Sequence, residues 1–180
     1  MKFLELVHKR QSVRGYLDKT VEREKVERCI EAARVAPSAC NSQPWRFVVV
    51  DNVELKNKIA DETSTTFLPL NHFTKQAPMM VVVVREKPNL TSKIGTIVRD
   101  KGFTLIDVGI ATEHFCLQAT EEGLGTCILG WFNEKNVKKM LGIPKDKRAE
   151  LIICVGYPAK DDIRDKIRKA HGEIFSYNKY

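Results

Sequence analysis

Pro78-Met79-Met80-Val81-Val82-Val83-Val84 is the stretch on which the architecture turns. From Met79 to Val84 it is the longest apolar run in a chain of 180 residues. Its four successive valines favour extended backbone. It is also far shorter than the roughly 20 apolar residues that would cross a bilayer. It reads as a buried strand, introduced by Pro78.

On either side the chain alternates irregularly between strand-like and helix-like segments. Trp45–Val50, Thr126–Leu129 and Glu150–Val155 are three further expected strands. The longest expected helix is Phe103–Glu122. There Leu105, Ile106, Val108, Ile110, Ala111, Phe115, Cys116, Leu117 and Ala119 leave so few polar positions that it should be central and buried nearly all round. Gly109 in its middle costs about 1 kcal/mol relative to alanine, a cost that close approach of another helix or a partner chain would justify. Gly123-Leu124-Gly125 ends this helix. Shorter helices are expected from Phe3, around Leu55 and Ile59, and from Asn133 to Gly142. Another is capped by Thr20, carries Val26, Cys29, Ile30 and Ala33 on its apolar face, and stops at Pro37. Thr63–Thr66 reads as a flexible polar connection, and Lys87–Lys101 as a mobile loop over a site. The tail from Ala159 is charged and has no helical apolar stripe. The whole forms one domain, 1–180, a sheet with helices on its faces.

With 43% hydrophobic residues the chain can fill a sizeable α/β or α+β core. Met1–Glu5 has an early acid, a histidine follows at position 8, and no small-residue cleavage site appears, so the expectation is a cytoplasmic protein without a leader or a membrane partner. Five separated cysteines without a C-x-x-C pair argue against a disulfide framework and a zinc site, and four histidines make no metal-binding pattern. A net charge of +7 raises the question of nucleic acid, but the basic residues are scattered among acids. A small anionic cofactor accounts for the excess as well, and no nucleic-acid partner is expected. No G-x-G-x-x-G follows the first strand and no P-loop occurs, which excludes the usual dinucleotide and nucleoside triphosphate folds.

Two short segments carry chemistry. Arg10, Ser12 and Arg14 lie within five residues at a helix end followed by Gly15. Two guanidiniums and a hydroxyl converging there suit a phosphate monoester, although a solvated basic helix end has the same composition. In Pro37-Ser38-Ala39-Cys40-Asn41-Ser42-Gln43-Pro44-Trp45, two prolines frame a run of short hydrogen-bonding side chains. Their amides match the polar edge of a flavin ring, or the local turns of an ordinary helix-to-strand loop.

Taken in order, these segments resemble the nitroreductase family. Arg10-Gln11-Ser12-Val13-Arg14 is similar to its R-x-S-x-R signature, and Pro37 to Trp45 to its P-S-x-x-N-x-Q-P-W loop. Asp107-x-Gly109, Gly123-Leu124-Gly125, Leu129-Gly130-Trp131-Phe132 and Lys166-Ile167-Arg168 follow in the family's order. The resemblance covers nearly the whole chain. It implies an α+β layered fold, with a mostly antiparallel mixed sheet flanked by helices and a C-terminal segment embracing the partner of a homodimer. It also implies FMN as cofactor, with Arg10, Ser12, Arg14, Lys166 and Arg168 on its phosphate. Ser38, Asn41 and Gln43 would line the ring and ribityl side, some of them across the dimer interface. Backbone around Ile128, Leu129 and Gly130 would face the reactive ring, and Asn71 matches a family asparagine near the flavin.

The activity so implied is an NAD(P)H-dependent oxidoreductase that works by a ping-pong cycle on small acceptors such as nitroaromatics or quinones. It needs no catalytic triad, because the flavin performs the redox step. Alternatives are a non-catalytic flavin-binding redox module, or a related enzyme of flavin-cleavage or dehalogenase type. The chain is short for the family and lacks a helical excursion between Glu62 and Asp100. Cys40, inside the loop, reads as a small buried packing residue.

Overall fold

A computed structural model describes residues 2–64, 71–88 and 102–180. The Met79–Val84 run lies within β2 (Met79–Arg85), second in a four-stranded sheet ordered β1-β2-β4-β3. Its neighbours are β1 (Trp45–Val50) and β4 (Arg148–Gly156), and β3 (Gly125–Leu129) closes the far edge. All three pairings are antiparallel, with Val48 opposite Val82, Val82 opposite Ile152 and Cys127 opposite Cys154. One parallel contact joins the sheet from outside, a bridge between Ser12 and Thr126. The α+β layered fold is thus as expected, and each expected strand falls within an observed one.

The valine run is continuous because both faces of β2 are covered. Met79, Val81 and Val83 point with Ile153 and Val155 to one side. There they meet α2 (Arg23–Arg34), through Val26, Cys29 and Ala33, and the long helix α4 (Phe103–Glu121), through Val108, Ala111, Phe115 and Ala119. Met80, Val82 and Val84 point with Ile152 and Cys154 to the other. That face is closed by Tyr16, Phe73, α3 (Val53–Asp61) and α5 (Glu134–Met140). Strand side chains alternate in direction, so one run supplies two cores. One further helix among the described residues, α1 (Phe3–Lys9), packs on α4 and has no buried residue of its own.

Four expectations are corrected. α4 is central but not buried all round: Leu105 and Ile106 are 51% and 54% exposed, and Gly109 is open. Among the described residues a Cβ at Gly109 would meet nothing within 4 Å, so no described helix of this chain requires the glycine. α2 starts after Glu22 rather than Thr20; Glu22 accepts from the Tyr157 hydroxyl at 2.6 Å, and Thr20 is exposed before the helix. Cys40 is exposed, whereas the other four thiols are buried. Thr63, at the start of the expected flexible connection, is buried and bonded to the Ala60 carbonyl. Residues 65 and 66, and the Lys87–Lys101 loop beyond residue 88, lie outside the described residues. Asn133 caps α5 and Gly123, at φ +75°, ends α4, both as expected.

Candidate functional site

The two ends of the chain meet at the outer edge of the sheet. After α1 the backbone is extended, and Val13 N–H donates to the Thr126 carbonyl of β3 at 2.8 Å. Gly125 makes this approach possible: a Cβ there would sit 2.7 Å from a Val13 methyl. Ala159 N–H then donates to the Gly15 carbonyl, and the C-terminal segment runs back over residues 7–14. Gln11 donates to the Asp162 carbonyl at 2.7 Å, the Arg164 guanidinium to the Ser12 carbonyl at 2.5 Å, and the Lys166 ammonium to the carbonyls of Val7 and His8 at 2.8 and 2.5 Å.

The result is an open concavity of about 390 Å³ lined by Arg10, Ser12, Arg14, Arg164, Lys166 and Arg168, with Asp165 the acid in its wall. All five residues expected at a phosphate share this one place, although about 150 residues separate the two sets. Arg164 joins them and was missed. In extended chain alternate residues share a face, so Arg164 belongs with Lys166 and Arg168; the K-x-R spacing drew attention away from it.

The concavity is short of negative charge. Arg10 Nε is buried and lacks a hydrogen-bond partner; it lies 3.2 Å from Glu113 Oε1, close enough for an ion pair but off hydrogen-bonding geometry. Desolvation, then the neighbouring Arg10 and Arg168, lower the Lys166 pKa from the ordinary lysine value. Behind the rim, burial pushes the Cys127 thiol up, while Arg14 and a hydrogen bond with Ser12 pull the other way. Crowded cations and an orphaned guanidinium nitrogen fit a phosphate, which would supply charge and acceptors together.

The amide loop is a second, separate structure. Ala39–Asn41 form a 3₁₀ turn, and Cys40, Asn41 and Gln43 lie at φ +52°, +50° and +45°. Each left-handed non-glycine residue costs about 1–2 kcal/mol, so something must hold them. Ser38 Oγ accepts from Gln43 N–H at 2.9 Å, and the Gln43 amide donates to Asn41 Oδ1 at 2.9 Å. Asp107 of α4 accepts from Ala39 N–H at 3.1 Å. The loop meets α4 at Asp107 and the basic cluster meets it at Glu113. Six residues are about 9 Å along a helix and about 240° around it, so within one chain the two groups lie on different sides of α4. Leu105, Ile106 and Gly109 form the open face of that helix.

The other expected site residues are dispersed. Ile128 is half-buried against α2 and α4, Leu129 is buried on the opposite face, and Gly130 is exposed with open space around it. Trp131 beside it is 57% exposed. Asn71, at φ +64°, donates its side-chain amide to the Thr63 carbonyl at 3.0 Å. It shares no wall with the basic cluster.

An antiparallel sheet covered by helices on both faces, with a basic concavity built from both chain ends and a separate amide-rich loop, defines a three-layer α+β protein. The sequence profile of the nitroreductase family matches residues 7–157. The chain belongs to the nitroreductase family and is an oxidoreductase of that type. Over 164 residues it is 31% identical to an Archaeoglobus fulgidus protein provisionally named NADH dehydrogenase/NAD(P)H nitroreductase, covering 88% of this chain and 86% of that one. An FMN-dependent nitroreductase of Clostridium difficile R20291 superposes with a TM-score of 0.79 at 26% identity, over 99% and 100% of the two chains. The iodotyrosine deiodinase of Thermotoga neapolitana is 28% identical over 201 residues, covering both chains fully.

Proposed function

We propose that this chain is a single-domain, homodimeric FMN enzyme. In this reading electrons pass from NAD(P)H to small acceptors such as nitroaromatics or quinones, in ping-pong order. The observation that carries it is the cation cluster: Arg10, Arg14, Arg164, Lys166 and Arg168 around a buried Arg10 Nε that is ion-paired with Glu113 but, among the described residues, makes no hydrogen bond. Those residues, with Ser12, would hold the phosphate. Ser38, Asn41 and Gln43 would meet the ring edge, and the open backbone at Gly130 leaves room beside it. A bound flavin would accept hydride from one substrate and return electrons to the next; the chain supplies binding, orientation and charge. The names of the relatives support the donor and the cofactor.

The open face of α4 supports the dimer. It would bring one protomer's amide loop near the partner's basic cluster, which lies on a different side of the same helix. Ile167, Ile174 and Tyr177 are 95%, 64% and 84% exposed and would be covered if the C-terminal segment embraced the partner. Among the described residues no helix is long and apolar enough to cross a membrane. A cytoplasmic enzyme without nucleic-acid partners is the reading proposed.

The test is an absorbance spectrum of the purified protein, then anaerobic addition of NADH or NADPH. Flavin bands that bleach, and recover with a quinone or nitroarene, support the reading. A yellow protein that neither nucleotide bleaches marks a non-catalytic flavin module, and a colourless one that ignores FMN removes the cofactor. The deiodinase relative supports a second reading, reductive dehalogenation. Halide release from a halogenated phenol, with turnover on quinones absent, would select it.

A further inference from the structure

The cofactor reading leaves one buried acid without a task. Asp107, on the second turn of α4, is 3% exposed. Oδ1 accepts from Ala39 N–H at 3.1 Å, while Oδ2 is sealed from solvent and has no hydrogen-bond partner among the described residues. Among the described residues no cation stands within ion-pair distance of it. Burying a carboxylate on a single hydrogen bond is unfavourable, so the arrangement calls for a function. The contact it makes is at the base of the left-handed loop, two residues before Asn41 and four before Gln43.

We propose that Asp107 is a positioning residue for this loop, and that its carboxylate charge lowers the reduction potential of a flavin held against it. The proposal rests on the reading of Ser38, Asn41 and Gln43 as ring-side contacts. Anchoring Ala39 to a rigid helix fixes the strained backbone from which those amides project. The charge acts through space. Reduction adds two electrons and one proton, delivered as hydride by a nicotinamide or by dithionite with a solvent proton. The ring system is left with one negative charge. A like charge a few residues away, shielded from water, disfavours that product.

Two full-length variants separate the parts. Asp107→Asn keeps a carbonyl for Ala39 N–H and removes the charge. FMN affinity should stay within threefold of wild type. The bound flavin's equilibrium should shift about tenfold toward the reduced form, a midpoint roughly 30 mV more positive for a two-electron couple. Asp107→Ala also removes the anchor. FMN and riboflavin should both bind at least tenfold more weakly, because the phosphate cluster is untouched, and the visible circular dichroism of the bound flavin should change.

An unchanged potential in Asp107→Asn overturns the electrostatic part. Wild-type flavin affinity and dichroism in Asp107→Ala overturn the positioning part. If the alanine variant does not fold, Asp107→Leu, which also removes the anchor but fills the buried space, takes its place and is read in the same way. A wild-type chain that binds no FMN is a different outcome and refutes the cofactor reading beneath the proposal.

Discussion

Arg10 ends α1 with its main chain, donating N–H to the Leu6 carbonyl at 2.9 Å, and turns its guanidinium toward the cluster of cations. A charged hydrogen bond is worth about 1.5–3 kcal/mol, or roughly 10- to 150-fold in affinity. Arg10→Gln should therefore weaken FMN by about that factor and leave riboflavin, which has no phosphate, nearly unaffected; isothermal titration with both ligands measures the difference. Equal loss for the two would place Arg10 elsewhere than on the phosphate. Gly125 is a residue of another kind. Its missing Cβ is what lets Val13, and with it Ser12 and Arg14, lie against β3. Gly125→Ala should lower stability by about 1–3 kcal/mol through overpacking and weaken FMN as Ser12 and Arg14 move outward. A urea midpoint equal to wild type would show that Val13 shifts without strain.

At the scale of elements, α4 is fastened at two levels, to the sheet and to α2. Below, Phe115 of α4 is fully buried and stacks on Phe47 of β1 with ring centroids 5.9 Å apart. Phe115→Ala should cost about 3–5 kcal/mol in chemical denaturation, the range for an aromatic deleted from a packed core. Above, Arg28 of α2 grips Glu122 with two hydrogen bonds of 2.7 Å, and Gln118 adds a third at 3.0 Å. The Arg28 bond leads in lowering the Glu122 carboxyl from 4.5 to about 2. A carboxyl depressed in the folded state contributes stability above its unfolded pKa and loses it as pH falls through the folded one. Stability should therefore drop between pH 4.5 and 2. Glu122→Gln should flatten that part of the profile in thermal melts at successive pH values. The strands were legible because β-branched runs between turn residues have few other uses. The gathering of the basic cluster was legible because half of it is contiguous, Arg10 to Arg14. The open face of α4 was not, since Leu105 and Ile106 look the same in sequence whether a core or a partner chain covers them. Nor was the burial of Asp107, which depends on where Ala39 comes to lie.

The whole molecule explains why the proposed site is divided. Arg10 and Ala39 touch α4 six residues apart, on different sides, and the basic concavity is open. One chain offers the proposed phosphate grip and, elsewhere, the amides proposed to meet the ring. A two-fold partner packed on Leu105, Ile106 and Gly109 would set each grip beside the other chain's loop, and it gives the mid-helix glycine a purpose, since backbone can approach there where a side chain could not. Affinity for flavin and affinity between protomers are then linked, because ligand that binds only the assembled pair stabilises it. Leu105→Asp with Ile106→Asp places two charges on that face at no cost to the chain's own core, as both side chains are about half exposed. In sedimentation velocity the variant should run as a monomer of about the 20.5 kDa chain mass, with far-UV circular dichroism unchanged and FMN binding reduced at least tenfold. FMN added to dilute wild-type protein should shift the boundary toward dimer. A monomeric variant that kept full flavin affinity would mean that one chain closes the site by itself, and the open face of α4 would then serve some other partner.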